Sequence, residues 1–335
     1  MSTAPALLEV HDLEVTYRAH RRELAAVRGV SLSIAAGETV GLVGESGSGK
    51  TTIARAILGL VAVRSGSISL AGRDLAGARG ADRRELSKIV QVVFQDPYSS
   101  LNPALKIGAT LAEPLRALHG KSAGEARQRS RDLLERVGID AAAVDRYPAS
   151  FSGGQRQRVA IARALMPSPE LVLCDEAVSA LDLSVQASVL NLLRSLQREF
   201  NLGYLFIGHD LDVVRYMSSR IVVLYRGRVM EHGLADAVAR RPCHPYTQAL
   251  VAAKPGRGKR SAAVSVTPPA GSDVSTPAIG CPFEPRCRYA IERCASETPE
   301  LQATGDGGAA ACHRLGDIPA LPAALQTPPR RAKSA

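Results

Sequence analysis

Three short stretches carry residue types whose spacing suits chemistry on phosphate. Residues Gly44 to Thr51 read GESGSGKT, an instance of G-x-x-x-x-G-K-[ST]. Glycines there let the backbone wrap closely, so that its N–H groups meet phosphate oxygens at a helix N-terminus. Lys50 is then placed to reach the β- and γ-phosphates, and Thr51 to ligate Mg²⁺. The second stretch, LVLCDE from Leu171 to Glu176, is an apolar run ending in two acids. Two carboxylates at the tip of a strand repel each other unless a cation lies beside them. Asp175 is therefore expected to face Mg²⁺, and Glu176 to polarise an attacking water. The third, FSGGQRQR from Phe151 to Arg158, sets Ser152, Gly153 and Gly154 just before a helical pattern. Exposed amides and a hydroxyl at the positive end of a helix dipole form a second anion cradle. A chain with one complete phosphate loop does not need two cradles. A dimer in which each chain's second cradle closes over the partner's nucleotide accounts for both.

The elements around these stretches have the order the chemistry needs. TVGLV reads as a short buried strand entering the loop, and TIARAILGL as the helix leaving it. Before them, LLEVHDLEVTY and LAAVRGVSLSI alternate enough to be two antiparallel strands, and strand-like pieces, GSISLAG and IVQVVF, run from Gly66 to about Gln95. From Pro97 to about Leu165 the pattern is helical. SAGEARQRSRDLLERVGI places Leu133, Leu134 and Val137 on one face with Gly138 as a stop, and GGQRQRVAIARALM is ended by Pro167. Strand and helix then alternate through LVLCDE, SVQASVLNLLRSLQREF, YLFIGH, a short helix and RIVVLYRG. The expected organisation is a nucleotide-binding domain over 1–253 with a helical subdomain at about 97–165. A Gly-, Pro- and Ser-rich linker over 254–280, a cysteine-containing extension over 281–325 and a disordered tail over 326–335 complete it.

Composition bounds the rest. The chain has 335 residues, 45% of them apolar, no tryptophan and a net charge of +10. The absence of Trp and the scarcity of aromatics argue against a stacking platform for single-stranded nucleic acid. The net charge invites a nucleic-acid or membrane-surface reading, but the basic residues are spread along the chain with small knots at RAHRR, GRGKR and PPRRAK, which favours an ordinary soluble protein. The N-terminus lacks the basic and apolar regions of a signal peptide, and no apolar run approaches the roughly 20 residues that span a bilayer. A soluble, cytoplasmic chain with reduced thiols is expected. That matters for Cys281, Cys287, Cys294 and Cys312, clustered in CPFEPRCRYAIERC and ACHR while Cys174 and Cys243 stand alone. The intervals of five, six and 17 residues are not those of C-x₂-C zinc ribbons. Four thiolates can hold zinc or an iron–sulfur cluster, or remain thiols that pack a small subdomain.

Together these motifs resemble the ATP-binding subunits of ABC transporters, over roughly residues 7 to 253. The resemblance implies an α/β fold: an ABC-type P-loop ATPase with an N-terminal antiparallel β subdomain, a RecA-like core, an inserted α-helical subdomain and a small C-terminal Cys-rich extension. It implies ATP and Mg²⁺, held by Gly44, Glu45, Ser46, Gly47, Ser48, Gly49, Lys50, Thr51 and Thr52, with Tyr17 stacked on adenine. Mg²⁺ would be met by Thr51, Gln95 and Asp175, and catalysis carried by Glu176, His209 in IGHD and Gln95 in VVFQDP. Ser152, Gly153, Gly154 and Gln155 match the signature that acts in trans, and Asp182 in SALD matches the D-loop. Phe151 stands where the signature more often begins with Leu, and Ser150 where an acid or glutamine often precedes it.

QDPYSSLNP, CDEAVSALD and CHPYTQAL look like the oligopeptide/dipeptide importer branch, which also carries a C-P-F-x-x-R-C extension. YSSLNP and FSGGQRQR resemble its F-type subunit more than its D-type. The implied partners are a second, D-type ATP-binding subunit in a heterodimer, two transmembrane permease subunits and an extracytoplasmic substrate-binding protein. The implied location is the cytoplasmic face of the bacterial inner membrane, held peripherally. The branch favours a [4Fe–4S] centre on the four cysteines, with zinc or no metal as the alternatives. Two rivals are a soluble ABC ATPase acting on nucleic acid or ribosomes, and a regulatory module that holds nucleotide without turnover. The chain lacks the second cassette and long insertions of the first, and Glu176 and His209 argue against the second.

Overall fold

The computed structural model describes residues 6–19, 22–75, 77–96, 100–253, 279–305 and 307–322. Most of the expected linker and all of the expected disordered tail lie outside them, as do Pro97, Tyr98 and Ser99 of QDPYSSLNP.

The first two strands, β1 (Ala6–Ala19) and β2 (Arg22–Ala35), pair antiparallel as their alternation requires. They lead into β3 (Thr39–Val43) and, through the glycine-rich loop, α1 (Lys50–Ile57). Then come β4 (Ser65–Leu70), β5 (Arg73–Asp74), α2 (Gly80–Ile89) and β6 (Val90–Val93). Helices α3 (Ile107–His119), α4 (Ala123–Arg136) and α5 (Gly153–Leu165) form the helical stretch. Alternation resumes with β7 (Leu171–Asp175), α6 (Leu183–Phe200), β8 (Gly203–Gly208), α7 (Leu211–Met217) and β9 (Arg220–Tyr225). The chain continues through β10 (Arg228–Leu234), α8 (Ala235–Arg240) and α9 (Pro245–Ala252) to α10 (Glu292–Ser296), β11 (Gln302–Ala303) and β12 (Ala309–Ala310).

Two sheets result. The smaller has the order β2-β1-β4-β5 and is antiparallel; the larger runs β11-β12-β10-β9-β3-β8-β7-β6. In the larger, β9, β3, β8, β7 and β6 are parallel, and the β11, β12 and β10 flank is antiparallel. Successive side chains leave a strand on opposite faces, so each parallel strand feeds two cores. Leu171 and Leu173 pack with Leu42, Leu205, Ile207 and the β1–β2 face, whereas Val172 and Cys174 pack with Phe206, Val223 and the helices beyond. A strand covered on both sides must be apolar throughout, which is why β3 and β7 read as unbroken buried runs.

Helix α4 begins with a capping box: Ser122 Oγ accepts from the Glu125 N–H at 3.3 Å, and Glu125 Oε2 accepts from the Ser122 N–H at 3.0 Å. Its buried residues, Ala126, Ser130, Leu133 and Leu134, lie on one face, and Gly138 follows at φ 75°. Two elements depart from the sequence expectation. The stretch expected to be strand-like between Gly66 and Gln95 contains α2, and β10 follows β9 where no further strand was expected. Within α2 only Leu86 is buried, so it lacks the apolar stripe that marks a helix.

Candidate functional site

Parallel strands put their carboxyl ends on one edge of a sheet, and the loops leaving that edge converge. Register decides what meets there. Val43 stands opposite Gly208, Asp175 opposite Ile207, and Val93 opposite Cys174. The loop after β3, the acids ending β7, His209 after β8 and Gln95 two residues beyond β6 therefore share one edge.

The loop from Gly44 to Gly49 is closely wrapped. Gly49 has φ 106°, and a Cβ there would sit 2.6 Å from the Ala26 carbonyl oxygen. A Cβ on Gly44 would meet the Leu224 carbonyl oxygen at 2.2 Å, so neither position accepts a side chain. Lys50 opens α1 and is only 5% exposed. Its Nζ donates to the carbonyls of Gly44 and Glu45 at 2.7 and 2.9 Å and to Ser48 Oγ at 3.3 Å. Burial pulls its ammonium below the usual lysine range, while the carboxylates of Glu176, Asp175 and Glu45 oppose that shift. Ser48 is buried and donates its N–H to the Glu45 carbonyl, whereas Ser46 and Gly47 face solvent.

The Thr51 hydroxyl donates to Asp175 Oδ1 at 3.4 Å, bringing a hydroxyl and a carboxylate side by side at the mouth of the loop. Burial raises the Asp175 carboxyl above the ordinary aspartate range, with the Glu176 charge adding to the effect. Glu176 has φ 49°, a left-handed conformation unfavourable for a residue with a side chain. The strain is held by its N–H on the Ile207 carbonyl at 3.1 Å and by Ser179 on its own carbonyl at 3.0 Å. This geometry leaves Glu176 Oε2 3.5 Å from His209 Nδ1. Five residues named from the sequence, Lys50, Thr51, Asp175, Glu176 and His209, are thus gathered at one place.

The others are more dispersed. Tyr17, partly buried on β1, donates its hydroxyl to Thr52 Oγ1 at 3.4 Å beside the start of α1. Gln95 is exposed at the shared edge. Ser152 and Gln155 close a capping box on α5, with Ser152 Oγ accepting from the Gln155 N–H at 3.3 Å and Gln155 Oε1 accepting from the Ser152 N–H at 3.0 Å. Among the described residues no hydrogen bond joins this set to the phosphate loop. Gly154 packs so closely on α6 that a Cβ would come within 2.4 Å of Val185 Cγ1. Asp182 caps α6, its Oδ1 accepting from the N–H groups of Ser184 and Val185 at 3.1 and 2.9 Å. Those bonds hold its carboxyl below the aspartate range.

The loop has two partners that the sequence reading missed. Glu45 donates its N–H to Tyr246 Oη at 2.9 Å, and its carboxylate forms a two-pronged pair with Arg286. Tyr225, Tyr246 and Phe283 form an aromatic cluster beneath, with centroids 4.6 to 5.4 Å apart. Both partners lie in stretches singled out as family marks, CHPYTQAL and CPFEPRC, but outside every catalytic or phosphate motif, so no local pattern linked them to the loop.

The four clustered cysteines are drawn together without forming a ligand set. The Cys281 N–H donates to the Cys294 carbonyl at 2.8 Å, and the thiols feel one another's charge. Yet among the described residues no group of three or more His, Cys, Asp or Glu is placed to hold a metal ion. Burial pushes the Cys281 thiol up to about 12 and that of Cys287 to about 11, which favours the protonated form. Buried Phe283 and the backbone bonds hold the segment. No preformed donor set for the expected metal centre is present among the described residues, although the four thiols are of the type that suits iron–sulfur or zinc.

Residues 27–179 match the family model described as ABC transporter, and residues 230–294 that described as oligopeptide/dipeptide transporter, C-terminal region. The chain is 44% identical over 318 residues to a probable peptide ABC transporter ATP-binding protein, y4tS, of Sinorhizobium fredii, covering 92% of this chain and 90% of that protein. It is 44% identical to the oligopeptide transport ATP-binding protein OppF of Salmonella typhimurium, covering 88% and 92%. For the di/tripeptide transport ATP-binding protein DppF of Pseudomonas aeruginosa the identity is 43%, with 92% and 97% covered. Among solved structures, the ATP-binding cassette MJ0796 bound to ADP and Pi superposes with a TM-score of 0.62 at 28% identity, over 68% of this chain and 98% of that one. The cbiO1 protein of Clostridium perfringens gives a TM-score of 0.62 at 27% identity, over 70% and 90%.

Proposed function

The chain belongs to the ATP-binding subunits of oligopeptide/dipeptide ABC transporters, and from that premise we propose how its residues divide the work. It is an ATPase whose hydrolysis drives peptide import through membrane permease partners. ATP is the expected substrate of the phosphate loop and Mg²⁺ the metal bound with it. Mg²⁺ is commonly held by one or two protein oxygens together with substrate phosphates, and the adjacent Thr51 hydroxyl and Asp175 carboxylate fit that need.

The backbone amides of Gly47 to Thr51 and the Lys50 ammonium bind the phosphates, and Tyr17 offers its ring to adenine. Glu176 orients and deprotonates the attacking water, His209 steadies the γ-phosphate, and Gln95 reports the state of the site to the permease. The observation that carries this reading is the convergence of Lys50, Thr51, Asp175, Glu176 and His209 at one sheet edge. Ser152, Gly153, Gly154 and Gln155 serve the nucleotide of a partner subunit, for which we propose a D-type paralogue. Asp182 lies along the same interface. Two bound ATP molecules close the pair head to tail, and loss of the γ-phosphate opens it.

A groove of about 1000 Å³, lined in part by Ser100, Asn102, Leu105, Glu113, Arg116 and Arg163, offers a seat for the permease on the helical layer. Among the described residues no helix is long and apolar enough to cross a membrane. We place the chain peripherally at the cytoplasmic face through its permease partners, with peptide delivered by an extracytoplasmic binding protein. Reconstituted with the partner subunit and permeases in vesicles, the chain is expected to couple MgATP hydrolysis to peptide uptake. Hydrolysis that proceeds with no peptide movement under any binding-protein supply would overturn the transport assignment.

We further assign to Cys281, Cys287, Cys294 and Cys312 the capacity to hold a [4Fe–4S] centre or zinc, with no step of ATP hydrolysis passing through it. Anaerobically purified protein is expected to contain iron with acid-labile sulfide. Zinc alone would select the second metal, and neither metal would leave four packed thiols.

A further inference from the structure

We propose that Arg286 is a positioning residue for the phosphate loop: its pair with Glu45 couples nucleotide affinity to the order of the C-terminal cysteine-containing segment. The inference rests on the nucleotide reading of that loop.

Arg286 closes a 3₁₀ turn, Glu284–Arg286, between Cys281 and Cys287. Its Nη1 lies 2.7 Å from Glu45 Oε2 and its Nη2 3.0 Å from Glu45 Oε1. This is the planar fork-on-carboxylate geometry that only arginine offers. Nη1 also donates to Tyr225 Oη at 3.3 Å, and the guanidinium lies 5.7 Å from the ring centroids of both Tyr225 and Phe283. The Arg286 side chain is 16% exposed and that of Glu45 41%, so solvent screens the pair in part, and its two-pronged geometry and the contact with Tyr225 set it apart from loose surface ion pairs.

Glu45 is the second residue of the loop, and each of its polar groups is engaged. The side chain holds Arg286, the N–H holds Tyr246, and the carbonyl accepts from Lys50 Nζ at 2.9 Å and from the Ser48 N–H at 3.2 Å. A shift of Glu45 therefore moves the carbonyl that orients the phosphate-binding lysine. Because Phe283 is buried in the aromatic cluster, the segment that carries Arg286 cannot loosen without disturbing that carbonyl. Coupling between two sites is reciprocal for binding free energies. Bound nucleotide must then order the segment as much as the segment favours nucleotide.

The test uses the full chain, with MgATP as the probe, and compares wild type, Arg286→Ala, Glu45→Ala and the double variant. Arg286→Ala is expected to weaken MgATP binding by about fivefold or more while retaining turnover at saturating MgATP. The loss is expected to vanish in the Glu45→Ala background, as a double-mutant cycle requires for a direct pair. Amide exchange in residues 279–305 is expected to slow when MgATP binds wild type and to be indifferent to MgATP in Arg286→Ala. Where Arg286→Ala does not fold, Arg286→Lys carries the test, keeping the charge but not the fork, and should show a partial loss. Wild-type affinity in the Arg286 variants, an equal loss without Glu45, or exchange insensitive to MgATP would each overturn the coupling. Failure of wild type to bind MgATP would instead overturn the nucleotide reading and this inference with it.

Discussion

Glu176→Gln is expected to bind MgATP as well as or better than the native protein, to lose steady-state turnover by about 10²- to 10⁴-fold, and to accumulate as a closed dimer with its partner subunit. The substitution keeps the shape of the side chain. It leaves in place the Glu176 N–H on Ile207 and the Ser179 contacts, so the strained φ of 49° persists. What changes is the capacity to accept a proton from water. The Glu176 charge also bears on Asp175 next door, and removing it lowers the repulsion that the γ-phosphate meets. Loss of the base and relief of repulsion act in opposite directions on turnover and binding, and that pairing is the signature to measure. Near-native turnover, assayed with the partner subunit, would remove Glu176 from its role.

Lys50→Ala is expected to fail one step earlier. The Lys50 ammonium makes three hydrogen bonds within the loop that is expected to hold the phosphates. Alanine removes its charge-assisted bonds to phosphate and strips the Gly44 and Glu45 carbonyls of a donor. MgATP affinity is expected to fall on the order of hundredfold, read by equilibrium titration without any turnover. Unchanged affinity would show that the loop's amides alone hold the phosphates. The two variants thus separate chemistry from binding: one retains ligand and stalls, the other does not retain it.

The chemistry was legible in the sequence wherever it is made by neighbours along the chain. Gly44 to Thr51 must be contiguous because one turn of backbone has to enclose a phosphate, and Asp175 and Glu176 must follow a strand because that is how they arrive at the sheet edge. The parallel core was legible for a related reason, since strands buried on both faces spell themselves out as apolar runs. Helix α2 was not, because a helix burying only Leu86 shows no periodicity. Nor was β10, in which Glu231 is buried and donors from Cys243 and His244 satisfy it at 2.9 Å. A charged residue in a strand looks like a surface position until its partners are known. Ser152 and Asp182 were singled out in the sequence for function, and what their spacing to Gln155 and Ser184 produces in the fold is a pair of helix caps. The Arg286–Glu45 pair spans 241 residues, a separation at which no local pattern forms.

Pairing of β12 with β10 has a consequence for the lifetime of incomplete chains. Glu231 and His232 meet Ala310 and Ala309, so the antiparallel flank of the large sheet is completed by a segment that lies beyond α9 along the chain. Without it, β10 offers a row of unpaired backbone groups, and the aromatic surface beneath Phe283 stays uncovered. Open strand edges of that kind recruit other chains. A chain cut short after α9 is therefore expected to self-associate, read by size-exclusion chromatography, while every residue of its glycine-rich loop is already in place.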